Sequence, residues 1–383
     1  MGTTAGSPAQ GSAMRVKIEN LHNMCENNTH SLTRVRNYFL VNGHTVSDAD
    51  SAADMVFVGG CTVTDLMRVR CVRNIVKMMR EQPEAQFVVF GCLSAFPEEL
   101  RTMAASELKR LHIVTYQECH ALDRLTGARI PFQAVSANLL HGHVPYQYRI
   151  GPSDSYVLIA QGCGNDCSYC NIKKAKGYVA SRSIEVIEEE VRELCRNGVN
   201  VITLLGDDCG SYGLDIGTDL PALLTRLASI SPALKFKLFT IFPSLYLQYA
   251  SQLEPFFASR RIPYVCLPVQ SAAPRILELM NRSYDPDLLA DAIATIRFLD
   301  PEAYIYSHFI YNFPTETREE LELSVAFSRY FDHCVFIAYG ENSATRAAGI
   351  TPKVSRQECD ARTVYLKELI RQKRLTAFLV PQT

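Results

Sequence analysis

The sequence predicts an α/β protein in two parts: an N-terminal doubly wound, mostly parallel sheet, then a partial (β/α)6 barrel of TIM-like type. Three observations carry this. Short apolar runs alternate with stretches of helical periodicity over 15–126. The same rhythm resumes at 156 and runs to about 345. Between them, 127–155 holds Pro131, His141, Gly142, His143, Pro145 and Pro152 with little periodicity, and reads as a linker. Strands are expected first at 15–19, 55–59, 87–90 and 112–116, with helices over 31–41, 65–79 and 97–108. Six more strands are expected at 156–161, 199–205, 235–241, 263–269, 303–310 and 334–339. Helices such as 184–197, 220–229, 288–299 and 318–331 separate them. Eight such units close a TIM barrel, so six leave it open. The remaining 346–383 read as one amphipathic helix, 356–375, and a short tail, and 1–14 as a disordered tail.

Composition narrows the function classes. The 39 basic and 40 acidic residues leave a net charge of −1, so no strong pull toward nucleic acid or anionic membrane is built in. No apolar run approaches the roughly 20 residues of a membrane span, and the small polar start lacks the apolar core of a secretory signal. The 13 cysteines are an odd number. Without a secretion signal, they point to a reducing, cytoplasmic setting in which clustered thiols are metal ligands or catalysts.

The strongest motif directly follows the first barrel strand. Residues 162–170 read G-C-G-N-D-C-S-Y-C and place Cys163, Cys167 and Cys170 in a C-x3-C-x2-C spacing. A 4Fe–4S cluster is held by cysteine thiolates, and three ligands leave one iron open for a substrate or cofactor. The alternatives are a three-cysteine zinc site or chance. Structural zinc takes four ligands in paired arms, and no second arm lies nearby. A second set, Cys25, Cys61 and Cys92, falls just after three expected strands of the N-terminal part. In a parallel sheet those loops converge on one edge. Each of these cysteines is either a small buried hydrophobe or one ligand of a second cluster with an open iron.

The C-x3-C-x2-C motif, with Tyr169 before its last cysteine, resembles the signature of the radical S-adenosylmethionine (SAM) superfamily. The resemblance implies that the open iron chelates the methionine part of SAM and that electron transfer yields a 5′-deoxyadenosyl radical. The N-terminal part is similar to that of the methylthiotransferase family, and the resemblance extends over nearly the whole chain, from 15 to about 350. Cys61-Thr62-Val63-Thr64, Gly91-Cys92-Leu93, 204–215, 267–284 and Phe313-Pro314-Thr315-Glu316-Thr317 match its motifs. This implies two 4Fe–4S clusters and SAM as cofactors, the second cluster held by Cys25, Cys61 and Cys92. It also implies an external flavodoxin- or ferredoxin-like electron donor. Gly206, Asp207 and Asp208 follow the second barrel strand and either meet the cofactor's amino group or form a polar turn. Gln270 and Ser271 are candidates for the ribose or the substrate. Arg182 either binds the cofactor carboxylate or forms a surface salt bridge.

Departures from the family cluster where substrate is expected. Cys266 stands where the family has His, Asn312 and Thr315 replace glycines, and His308 stands near a usual Asp. Gly59 and Gly60 replace Asn-Thr, which is expected to make room beside the second cluster, and Met24 replaces a glycine. About 38 residues follow the barrel, so the reading expects no C-terminal RNA-binding TRAM module. Arg362, Lys367, Arg371, Lys373 and Arg374 form either a phosphate-binding stripe or a solvated helix face. Cys71, Cys195 and Cys334 are expected in the core, while Cys209 and Cys266, near barrel strand ends, are left open. The leading expectation is an enzyme that inserts sulfur into a small-molecule or peptide substrate of a biosynthetic pathway. The sulfur enters as a methylthio group, or as sulfide from the auxiliary cluster, for instance in sulfur-for-oxygen exchange on a sugar or nucleoside. The alternative is a tRNA or ribosomal-protein methylthiotransferase acting without a TRAM domain.

Overall fold

A computed structural model describes residues 13–22, 25–47, 52–139 and 154–381. Met24, residues 1–12 of the expected tail and residues 140–153 of the expected linker lie outside them. The chain divides into two compact units, residues 1–61 with 69–144, and residues 62–68 with 145–383.

The first unit is a five-stranded parallel sheet. In chain order it runs β1 (Arg15–Asn20), α1 (Glu26–Val41), β2 (Thr45–Val46), β3 (Met55–Gly60), α2 (Asp65–Glu81), β4 (Gln86–Gly91), α3 (Pro97–Met103), β5 (Leu111–Ile113) and α4 (His120–Thr126). The spatial order is β2-β1-β3-β4-β5, every pair parallel. β3, M-V-F-V-G-G, is buried along its whole length, as a central strand of a sheet covered on both faces requires. The chain leaves β1 in one direction for β2 and in the other for β3, so the order reverses between β1 and β3. Crevices at such a switch point, outside the carboxyl ends of the strands, are where open α/β sheets bind ligands. β2 has no counterpart in the sequence reading, because two residues show no periodicity. The helix expected over 97–108 stops at Met103 and gives way to a 3-10 turn, Ala105–Arg110.

The second unit holds β6 (Asp154–Leu158), β7 (Ala160–Gln161), α5 (Ile172–Lys176), β8 (Ala180–Ser181), α6 (Ile184–Arg196), β9 (Val201–Leu205), α7 (Leu220–Ala228), β10 (Lys235–Leu238), α8 (Pro243–Ala258), β11 (Tyr264–Cys266), α9 (Pro274–Leu279), α10 (Pro286–Leu299), β12 (Tyr304–Tyr311), α11 (Arg318–Phe327), β13 (His333–Ala338), α12 (Arg356–Arg371) and β14 (Ala377–Val380). Its main sheet is parallel throughout, in the order β14-β13-β12-β11-β10-β9-β6. Strand alternation sorts the side chains. Ile305, Phe309 and Tyr311 of β12 join the core beneath the helices. Tyr304, Tyr306 and His308 take the other face, where Tyr264 stacks on Tyr304 at 5.9 Å and Tyr306 on His333 at 6.2 Å. Local signals start the helices: Ser183, Asp219, Asp285 and Ser355 each accept a backbone N–H at a helix start, and Thr317 with Glu320 forms a capping box.

Two expectations change here. The helix expected over 356–375 ends at Arg371, and 377–380 form a seventh strand, paired parallel with β13 from Cys334↔Ala377 to Ile337↔Val380. A four-residue apolar run is too short for periodicity to reveal; only the neighbouring strand makes it one. Arg362 leaves the expected basic stripe: it is buried, and its guanidinium meets Glu316 at 3.1 Å and Glu358 at 2.7 Å.

Candidate active site

The cysteine loop of the second unit is closed at its base by β7 and β8, which pair antiparallel at Ala160↔Ser181 and Gln161↔Ala180. Gly162 turns the chain at φ +79°, and a Cβ there would sit 2.4 Å from the Tyr178 carbonyl oxygen, so only glycine fits. The loop is pinned along its length. Ser168 donates from its N–H to Met280 O (2.9 Å) and from its hydroxyl to Leu279 O (2.7 Å). The Arg346 guanidinium holds both the carboxylate and the carbonyl of Asp166 at 2.6 Å.

Each of the three sulfurs accepts at least one N–H. Asn165 Nδ2 donates to Cys163 Sγ, Arg282 Nη1 to Cys167 Sγ, and the Ile172 backbone N–H to Cys170 Sγ, all at 3.4 Å. Donors aimed at sulfur suit thiolates, and such bonds help set the potential of a cluster. Burial, with the charge of Asp208 adding, pushes the Cys163 thiol up to about 11. Solvent reaches Cys170, yet desolvation by the surrounding protein, with the charges of Cys167, Cys163 and Asp207 adding, pushes its thiol up to about 12. Both stay protonated at neutral pH until a cation displaces the proton. Among the described residues no three His, Cys, Asp or Glu side chains converge on a single-ion site. The donor set suits a cluster instead, in which each thiolate takes a different iron and no common centre is required.

Gly206, Asp207 and Asp208 follow β9 and lie against this loop. Asp207 accepts the Gly162 N–H (2.9 Å) and pairs with Lys176 at 2.7 Å, both side chains buried. Asp208 is buried and accepts from Asn165 Nδ2 and Ser211 Oγ (2.6 Å each) and from the N–H groups of Gly210 and Phe242 (3.0 Å each). Both carboxylates are thus committed to positioning the loop. Gln270, at φ +71°, bridges to β12 through its backbone, donating to His308 O (2.7 Å) and accepting from the Ile310 N–H (2.8 Å). Ser271 is buried and its hydroxyl accepts the Ala273 N–H at 3.2 Å. Arg182 is not brought to the loop: its guanidinium meets Leu158 O and Glu190, each at 2.7 Å. Tyr169 packs edge-on to Phe313 at 6.5 Å, and its hydroxyl accepts from Arg282 at 3.2 Å.

Arg282, Lys176 and Asn165 were not singled out by sequence reasoning. Arg282 carried a readable signal, a cation inside the segment I-L-E-L-M-N-R-S-Y. The two replaced glycines keep a glycine-like backbone: Asn312 stands at φ +62° and Thr315 at φ +68°. Both angles lie in the left-handed region that favours glycine, which strains the β-branched Thr315. Cys209 and Cys266 are buried, and the Cys209 thiol donates to Leu204 O at 3.3 Å.

In the first unit, Cys25, Cys61 and Cys92 follow β1, β3 and β4, three adjacent strands in register at Asn20↔Gly59 and Gly60↔Gly91. All three are half-buried at the carboxyl ends that flank the switch point. Cys25 is the N-cap of α1, where the helix dipole favours a thiolate. The Cys61 backbone N–H points at the Cys71 sulfur, itself buried. Gly59 and Gly60 do not open space. A Cβ on Gly59 would meet Leu32 at 2.8 Å and Asn28 at 2.9 Å, and one on Gly60 would meet Leu93 at 2.7 Å. The room is already filled by those side chains.

A parallel partial barrel with a three-cysteine loop after its first strand, joined to a parallel-sheet unit with three cysteines at its switch point, defines the class: a radical SAM enzyme. Residues 157–327 match the radical SAM superfamily, and residues 17–110 match the uncharacterized protein family UPF0004. The chain is similar to methylthiotransferases of the radical SAM superfamily, which makes it a radical SAM enzyme of the sulfur-inserting transferase type with SAM and two 4Fe–4S clusters as cofactors. It is 28% identical over 358 residues to the ribosomal protein uS12 methylthiotransferase RimO of Prochlorococcus marinus, covering 89% of this chain and 80% of that protein. It is 34% identical over 260 residues to the tRNA-2-methylthio-N(6)-dimethylallyladenosine synthase of Oleidesulfovibrio alaskensis, covering 66% and 54%. Among solved structures, the radical SAM methyltransferase TsrM of Kitasatospora setae has the same fold at a TM-score of 0.59 and 16% identity, over 88% of this chain and 77% of that one. No described helix is long and apolar enough to cross a membrane.

Proposed function

We propose that the protein is a methylthiotransferase acting on a component of the translation machinery, a ribosomal protein or a tRNA, and replacing a C–H hydrogen by a methylthio group. The observation that carries this is the match to a uS12 methylthiotransferase over 89% of the chain. Cys163, Cys167 and Cys170 would hold the cluster that binds SAM, and Cys25, Cys61 and Cys92 the one that handles sulfur. When bound, the first supplies the reductive cleavage of SAM that generates a radical able to take hydrogen from carbon. The chain's own residues do the rest. Asn165, Arg282 and the Ile172 N–H orient the three sulfurs. Asp207, clamped between Lys176 and Gly162, fixes the entry of the loop. Gly206, Gln270 and Ser271 lie on loops that follow β9 and β11, where cofactor and substrate atoms meet the barrel. The electron comes from an external flavodoxin- or ferredoxin-like donor, in a cytoplasmic setting.

The test is anaerobic turnover of the reconstituted protein with SAM, a strong reductant, and either unmodified tRNA or ribosomal protein uS12. Formation of 5′-deoxyadenosine with a product heavier by a methylthio group in place of hydrogen supports the proposal. Uncoupled 5′-deoxyadenosine with neither substrate modified refutes it.

One observation favours a second reading, sulfur insertion into a small polar molecule or peptide. Asn312 is buried, and neither Nδ2 nor Oδ1 has a partner among the described residues. A buried amide without partners costs stability unless a ligand or water satisfies it. Under this reading a nucleoside, sugar or peptide is modified where both macromolecules are inert. Sulfur-for-oxygen exchange is recognised by the mass difference between those two atoms.

A further inference from the structure

Arg282 follows α9 and is buried, yet no carboxylate pairs with it among the described residues. Nη1 donates to Cys167 Sγ at 3.4 Å and to the Tyr169 hydroxyl at 3.2 Å, and Nη2 donates to Pro268 O at 2.5 Å. The Phe242 ring faces the guanidinium carbon at 4.0 Å, and the Tyr284 ring lies 5.9 Å away. Nε has no hydrogen-bond partner among the described residues. A guanidinium cannot discharge itself by losing its proton, so burying one beside neutral groups is strongly unfavourable. The other buried cations of this unit are paired differently: Arg68 meets Asp65, Lys176 meets Asp207 and Arg362 meets Glu316. Arg282 instead points at a cysteine sulfur.

We propose that Arg282 is the built-in counter-charge of the radical-generating cluster and that its N–H···S bond to Cys167 raises that cluster's reduction potential. The inference rests on the triad holding a cluster, and is independent of what the enzyme modifies. Three thiolates on a cluster carry net negative charge, which supplies the anion that Arg282 lacks. On reduction one electron arrives from an external one-electron donor and the negative charge grows by one. Arg282 keeps its proton throughout, so the same bond is stronger in the reduced state, and the reduced state is favoured. Through Nη1 the side chain also fixes Tyr169, next to Cys170. Arg282 is thus a positioning and tuning residue; nothing places it against substrate.

The test is an EPR-monitored potentiometric titration of the reconstituted full chain, read on the signal that changes when SAM is added. Arg282→Gln is expected to lower the ratio of reduced to oxidised cluster at a fixed potential about tenfold, or about 59 mV for one electron. Arg282→Lys, which keeps the charge but loses the fork, is expected to recover part of that. An unchanged midpoint in Arg282→Gln at full iron content overturns the proposal. Where that variant fails to load iron, the wild type decides. Protein grown with 15Nη-arginine is expected to show a nitrogen hyperfine coupling to the reduced cluster, and its absence overturns the proposal. Absence of any SAM-sensitive cluster signal in the wild type would instead refute the assignment of the triad itself.

Discussion

The two cysteine triads are built on opposite plans. Cys163, Cys167 and Cys170 sit within one loop of the second unit, and each sulfur already has its own N–H donor. Cys25, Cys61 and Cys92 are far apart in sequence and share one sheet edge only because β1, β3 and β4 are neighbours in the sheet. The first triad is local and survives modest changes elsewhere, provided the loop stays pinned. The second is a property of strand register, and depends on how closely α1 and the loop after β4 pack on Gly59 and Gly60. One is a matter of spacing, the other of topology.

The largest expected effects separate the triads directly. Replacing Cys163, Cys167 and Cys170 together with Ala is expected to lower iron from about eight to about four per chain and abolish 5′-deoxyadenosine formation. Replacing Cys25, Cys61 and Cys92 is expected to cost the same iron but leave 5′-deoxyadenosine formation in place while sulfur transfer is lost. Iron near four in the intact protein would break the comparison outright.

Next comes the clamp of the second unit. Lys176→Met leaves the Asp207 carboxylate buried without its cation, which is expected to cost about 3–5 kcal/mol. Chemical denaturation would register this, and an unchanged midpoint would show that the pair is dispensable.

A pH dependence is expected from the same unit. Burial lowers His308 from its ordinary value to about 4, so the folded state binds fewer protons than the unfolded state between about 4 and 6.5. Its contribution is complete above 6.5 and is lost as pH falls toward 4, up to about 3 kcal/mol in all. His308→Gln is expected to flatten stability over that window; an unaltered acid limb would sink the assignment.

The smallest effect belongs to the first unit. Gly60→Ala would drive a methyl into Leu93 at 2.7 Å, an overpacking expected to cost about 1–3 kcal/mol. It should also lower iron bound by the Cys25 triad while sparing the other. Equal loss from both would show that the triads are not independently supported.

The sequence made the Cys163 loop legible because ligands to a cluster within one loop must obey a fixed spacing. It made the Cys25 triad legible only through its shared place after three strands. Asp207 and Asp208 were legible as polar residues at a strand end, but not as groups already satisfied by Lys176, Asn165, Ser211 and backbone N–H groups. Partners that close a hydrogen bond come from segments distant in sequence, and composition does not rank them. Arg362 shows the same gap: on a helix with several basic residues it reads as surface, and Glu316 draws it into the interior.

By itself the sequence determined the fold class, the alternation of the main strands and helices, and the two cysteine triads as candidate cluster ligands, since apolar periodicity and cysteine spacing are local properties of the chain. Only the tertiary structure decided that 377–380 is a strand, that Gly59 and Gly60 are packed positions, and that Arg282 faces Cys167. Each of those depends on a neighbour supplied by a distant segment. A strand needs a partner edge, a glycine is required by what lies against it, and a buried cation is explained by the charge it faces.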